Sequence, residues 1–149
     1  MTPHPRPPFL HRHGLGLVAC SILLTWLVLY CAADPATHAG SFFANATADW
    51  TGVVVMVFAT KYFYEIGSGE SRRPGHLPRS RFRHFVRAHS LTLFLTGTFT
   101  FWLAAYLHMD PNSRWVQVVG NVVSEWTQCI GMVLLTKKLI EQGSKESAR

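Results

Sequence analysis

"DWTGVVVMVFATKYFYEIGSGES", residues 49–71, returns 76 positions later as "EWTQCIGMVLLTKKLIEQGSKES", residues 125–147. The match extends outward from there. Shifting the chain by 76 aligns residues 9–73 with 85–149 without a gap, and 22 of the 65 pairs are identical. They include His13/His89, Trp26/Trp102, Tyr30/Tyr106, Asn45/Asn121, Trp50/Trp126, Lys61/Lys137 and Gly67/Gly143. All eight acids fall into pairs: Asp34/Asp110, Asp49/Glu125, Glu65/Glu141 and Glu70/Glu146. Apolar residues coincide easily between lipid-facing segments, whereas charges do not. The sequence therefore reads as a tandem duplication, and such a period decides the fold before any local rule is applied.

Each unit carries two apolar blocks. Residues 14–33 hold no formal charge, and twenty residues at 1.5 Å each cover about 30 Å, one hydrocarbon core. Residues 90–109 are the partner span. The second blocks, 45–64 and about 119–140, are less pure: the first contains Asp49 and Lys61, the second Glu125, Lys137 and Lys138. The expectation is an all-α, polytopic membrane protein with four transmembrane helices in two parallel hairpin repeats. Residues 1–73 form the first repeat, 74–84 a basic linker and 85–149 the second. "LVAC" at 17–20 has the look of a processing site, but the apolar run continues past Cys20 and recurs where no leader could stand, so no cleavage is expected.

Lysine and arginine orient the chain. Arg6 and Arg12, the six arginines between 72 and 87, and the cations after 136 all fall on one side; only Arg114 falls on the other. Positive-inside bias assigns both termini and the linker to the cytoplasm. Two spans per unit make the repeats parallel, related by a pseudo-twofold axis along the membrane normal. A pI of 9.7 then reflects topology and attraction to anionic lipid at the cytoplasmic face, and no nucleic-acid partner is expected. Three unpaired cysteines suggest neither a disulfide frame nor a zinc site.

The chemistry-bearing residues concentrate in the doubled stretch. Asn45 and Asp49 are four apart, on one helical face, as are Asn121 and Glu125; Gln128 continues the second stripe. One reading buries the two acids opposite each other inside the bundle, where a charge costs at least ~2.5 kcal/mol and marks a functional site by default. The other sets them in the first exposed turns of their helices, as partners of the helix dipole, with Trp50 and Trp126 as interfacial anchors. Lys61 and Lys137 read as snorkelling anchors at the cytoplasmic end, each paired four residues on with Glu65 or Glu141. Gly67 and Gly143 suit left-handed caps closing those helices. His13 and His89 open the odd spans; they are weak candidates for a metal or haem, and interfacial positioning is the simpler account. No nucleophile–base pair or phosphate loop appears, so no enzyme and no cofactor is expected.

The segment "NVVSEWTQCIGMVLLTKKLIEQGSKES", its earlier copy ending "GSGES", and the basic opening "RFRHFVRAHSLTLF" together resemble the repeat of an uncharacterised family of bacterial four-span membrane proteins. The resemblance covers residue 9 onward. It differs after the tryptophans, where the family carries Gln-Ser-Glu and this chain has Thr-Gly-Val and Thr-Gln-Cys. It implies the fold and a bacterial inner membrane, with no activity attached. The expected role is a structural or partner-binding bundle. The alternative is a carrier or channel for protons, small ions or small solutes using Asp49 and Glu125, with a homodimer to enclose enough volume.

Overall fold

A computed structural model describes residues 9–139, and these are helical with no strand among them. The helices are α1 (Phe9–Ala32), α2 (His38–Tyr62), α3 (Arg81–Ala88), α4 (Ser90–His108) and α5 (Val116–Leu135). All but α3 are long and apolar enough to cross a membrane. α1 packs on α2, α2 on α5, and α5 on α4, so α2 and α5 form the middle of the bundle. The flanking helices expose Leu15, Val18, Leu24 and Val28 on α1, and Leu93, Phe101 and Leu107 on α4. Apolar residues displayed on this scale belong against acyl chains rather than water.

Both hairpins turn on the same chemistry. Asp34 and Asp110 each precede a proline, and each side-chain Oδ1 accepts from the backbone two residues on, at 2.9 Å in both cases. Such Asx-turns stop one helix and aim the next. Thr37 then caps α2, its Oγ1 accepting from Gly40 N at 3.1 Å. This cap starts α2 at His38, seven residues before the expected 45, and puts the doubled stretch deep in the helix. α5 likewise begins at Val116 and ends at Leu135, so Lys137 and Lys138 lie beyond it. Residues 140–149, with Glu141, Gly143 and Glu146, lie outside the described residues.

The middle pair meets through small residues. Ala44 and Ala48 are fully buried and pack against Val118, Val122 and Trp126, which lets the helix backbones approach. Tyr30 reaches into the same region from α1 and is itself fully buried. At the basic end a second core joins Ala59, Leu91, Leu95 and Val133, tying α2 to α4 and α5. The basic linker is not wholly irregular. Its last part forms α3, where Arg81, Arg83 and Arg87 alternate with exposed Phe82, Phe85 and Val86, a composition suited to lying in a headgroup layer.

Two sites at different depths

The acids meet at mid-helix. Asp49 is eleven residues past His38 and thirteen before Tyr62, which sets it about 16 Å and about 20 Å from the two ends. Glu125 is nine residues past Val116 and ten before Leu135. Neither is a first-turn residue, so the dipole-capping account does not describe them. Glu125 faces Asp49 across the seam, near enough for their charges to interact. Gln128 Nε2 donates to Glu125 Oε1 at 3.0 Å. Gly52 makes room: a Cβ there would stand 3.3 Å from Glu125 Oε2.

Two further rungs run from the acids toward the hairpin-turn end. Asn121 Nδ2 donates to Asn45 Oδ1, and Gln117 Nε2 donates to Ser41 Oγ at 2.7 Å. Every rung joins positions 76 apart: 41 with 117, 45 with 121, 49 with 125. The seam between α2 and α5 is therefore polar from its Ser41 end to its middle. Continuing the stripe toward the basic end brings Gly52 and Met56 on α2, and Met132 on α5. Ala44 and Ala48 close one side of the seam, while Asn45, Asp49 and Gln128 are exposed on the other.

The tryptophans depart from the interfacial expectation. Trp126 is buried at mid-helix, its Nε1 donating to Thr98 Oγ1 at 2.7 Å and its ring edge-on to Trp102. An indole needs one acceptor when buried, and α4 supplies it. Trp50, next to Asp49, is half-buried at the same depth. Membrane-belt anchoring therefore describes neither.

The second site was not anticipated. Glu65 lies past the end of α2, in an extended segment that docks against the break between α3 and α4. There Ile66 N donates to Ala88 O at 2.8 Å and Leu91 N to Tyr64 O at 3.1 Å. The Glu65 side chain is fully buried. It accepts from Lys137 Nζ, bonds His89 Nδ1 at 2.7 Å, and accepts from Thr92 N at 3.3 Å. Thr92 is in the first turn of α4, so the carboxylate also caps that helix from another part of the chain. Burial alone would raise the Glu65 pKa. The hydrogen bonds from Lys137, Thr92 and His89, with the lysine charge, outweigh it and hold the carboxyl below its ordinary range.

This arrangement corrects the expected Lys61–Glu65 pairing, while the expected Lys137–Glu141 pairing falls on a residue outside the described ones. An i, i+4 pair needs a continuous helix, and α2 ends before Glu65. Lys61 instead lies 5.2 Å over the Tyr62 ring at the exposed basic end, whereas Lys137 serves Glu65 from the other repeat. Gly67 does adopt a left-handed φ of 81°, but within the Glu65–Ser68 turn, closed by Ser68 N to Glu65 O, and not as a helix cap. His89 is engaged with Glu65, and His13 packs against Phe9 at 4.6 Å. Among the described residues no three His, Cys, Asp or Glu side chains are grouped to hold a metal. The sequence did carry a signal: His13/His89, Lys61/Lys137 and Glu65/Glu141 are three ionisable pairs that recur at the 76-residue spacing.

Arg114, the lone cation at the hairpin-turn end among the described residues, clamps α1 to the α4–α5 turn. Its Nη2 donates to Tyr30 O at 2.7 Å and Ala33 O at 3.2 Å, its guanidinium lies 5.1 Å over the Tyr30 ring, and the Tyr30 hydroxyl donates back to Arg114 O. No family model, curated protein or solved structure matches the chain.

Proposed function

We propose that this protein, a multi-pass protein of a bacterial inner membrane with its basic end in the cytoplasm, carries protons or a small cation through the α2–α5 seam. The observation that supports this reading is that Asp49 and Glu125 face each other at mid-helix, near enough for their charges to interact. Two carboxyls this close repel one another in a low-dielectric setting when both are ionised, so a proton or a small cation between them is favoured and one such cation can replace another. The Ser41–Gln117 and Asn45–Asn121 rungs give the ion hydrogen-bonding groups from the outer end to the acids. The methionine-lined stretch beyond them forms the barrier on the basic side. A second copy closes the exposed edge of the seam, because Asn45, Asp49 and Gln128 facing acyl chains would cost several kcal/mol together.

A structural reading competes. The Asn45–Asn121 and Ser41–Gln117 rungs also specify how α2 and α5 pair, since interhelical polar contacts fix register in membranes. Proteoliposomes with an internal pH dye separate the two. The carrier reading expects acidification driven by an imposed potential or pH step, lost in Asp49→Asn and Glu125→Gln. Wild-type vesicles no leakier than protein-free ones would leave the structural role.

A further inference from the structure

A cavity of about 1020 Å³ opens at the basic end, between α1, the end of α2 and the 69–74 segment. Its wall is cationic on one side and apolar on the other. Arg12, Lys61, Arg72, Arg73 and Arg87 line it, with Glu70 the one acid among the described lining residues. The apolar side is Leu15, Leu17, Val57 and Phe58. The two sets are ordered along the helices. Arg12 and Lys61 lie in the end turns of α1 and α2, whereas Leu17 and Val57 lie a turn or more further in. We propose that this cavity seats the headgroup of an anionic phospholipid, its phosphate among the arginines and Lys61, its acyl chains running along α1 and α2 past Leu17 and Phe58.

Charge selects an anion. Cations gathered in one wall repel each other, and a phosphate among them relieves that repulsion. Guanidinium groups also match phosphate oxygens two at a time. Arg87 is already held at the rim, where its Nη1 donates to Tyr62 O at 3.0 Å. His13 and Lys61 of this wall stand 76 positions before His89 and Lys137, which hold the Glu65 carboxylate. The same two residue types therefore already bind an oxyanion in this fold. The apolar side selects a lipid over a soluble phosphate. A free phosphate gains nothing from Leu15, Leu17 and Phe58, which are 72%, 43% and 40% exposed. The volume is at the upper end of the ~300–1,000 Å³ of small-molecule sites, more than a bare phosphate fills. Basic pockets at the ends of membrane helices take lipid headgroups for these reasons. Beneath the cavity the two helices touch: a Cβ at Gly16 would stand 3.1 Å from the Phe58 ring. The acyl chains therefore pass over the exposed side chains of α1 and α2, not between the helices.

The inference concerns the basic end alone and is independent of cation movement through the acid seam. Its test uses the full chain in detergent micelles with equal amounts of phosphatidylglycerol and phosphatidylcholine, read by native mass spectrometry of the lipid retained. The wild type should keep one phosphatidylglycerol in preference to phosphatidylcholine. Arg72→Gln with Arg73→Gln should lower that preference roughly tenfold or more, the scale expected for two cations at a headgroup. Arg79→Gln with Arg81→Gln removes the same charge from the same basic stretch, outside the cavity wall, and should change it less than twofold. Equal losses in the two double variants overturn the proposal, because they mean diffuse attraction to anionic lipid. A wild type without preference for phosphatidylglycerol overturns it with no substitution involved. Displacement of the bound lipid by millimolar inorganic phosphate also overturns it and gives the cavity to a soluble anion.

Discussion

Replacing Glu65 by glutamine removes one charge from the best-connected polar site and little volume. The carboxylate serves three donors: Lys137 Nζ, His89 Nδ1 and Thr92 N. Glutamine keeps one oxygen and turns an amide N–H₂ toward groups that are themselves donors. Removing one partner of a fully buried ion pair costs about 3–5 kcal/mol. Lys137 and His89 retain side-chain exposures of 24% and 30%, so both can turn toward water. That brings the expected loss down to about 2–3 kcal/mol, the range of a lost charged hydrogen bond and its strained neighbour. In a chain of 149 residues this corresponds to a fall in unfolding midpoint of roughly 5–10 °C at pH 7. Asp110→Asn, which preserves the Asx-turn, is the control and should change little. The pH dependence fixes the sign. The Glu65 pKa is lowered on folding, so its contribution is complete above the unfolded value near 4.5 and disappears as pH falls through the lower folded value. The gap between wild type and Glu65→Gln should be flat from pH 7 to 5 and close below about 4.5. A Glu65→Gln protein as stable as wild type at pH 7, or a gap unchanged at pH 3, would refute the account.

Arg114→Lys should destabilise by about 1.5–3 kcal/mol despite keeping the charge, because an ammonium cannot lie flat over Tyr30 while bonding two carbonyls. Chemical unfolding in detergent measures it, and a neutral result would mean that the clamp contributes nothing. Gly52→Ala should push the Glu125 carboxyl off its position by a few tenths of an ångström, since the new methyl would stand 3.3 Å from Oε2. Proton flux in vesicles should drop several-fold while the unfolding midpoint moves by less than that of Glu65→Gln. Trp126→Phe leaves Thr98 Oγ1 bonded only to its own helix and should cost about 1 kcal/mol, with loss of a blue-shifted component of the fluorescence.

The four spans were legible because long apolar blocks have few alternatives, and the Asn45/Asp49 and Asn121/Glu125 stripe was legible because helical spacing alone puts those residues on one face. Their depth was not. It depended on where α2 starts, and the Thr37 cap that sets this lies in a polar stretch that reads as loop. Trp126 misled for a related reason: an amphipathic ring next to an acid suits a membrane belt as well as it suits a buried acceptor, and the acceptor, Thr98, is 28 residues away. Glu65 was misread because a local i, i+4 pair was assumed across a helix that stops at Tyr62. Its true partners come from the other repeat, and no local pattern encodes them.

The two sites respond differently to duplication, and the difference is instructive. At the seam, each residue faces its own counterpart, so any mutation in the ancestral unit would have appeared twice in one contact. Such a position favours groups that can sit beside their own kind, as the Asn45 and Asn121 amides do. Ser41 against Gln117 keeps that complementarity, whereas Gly52 against Gln128 departs from it and leaves room for the Glu125 side chain. At the basic end, each residue faces a different residue type, so an acid can meet a lysine and a histidine without its own charge opposite. A stable ion pair is therefore built where unlike positions meet, and a pair of like groups where like positions meet. The chemistry of each site follows from whether equivalent or non-equivalent positions of the sequence repeat meet in it.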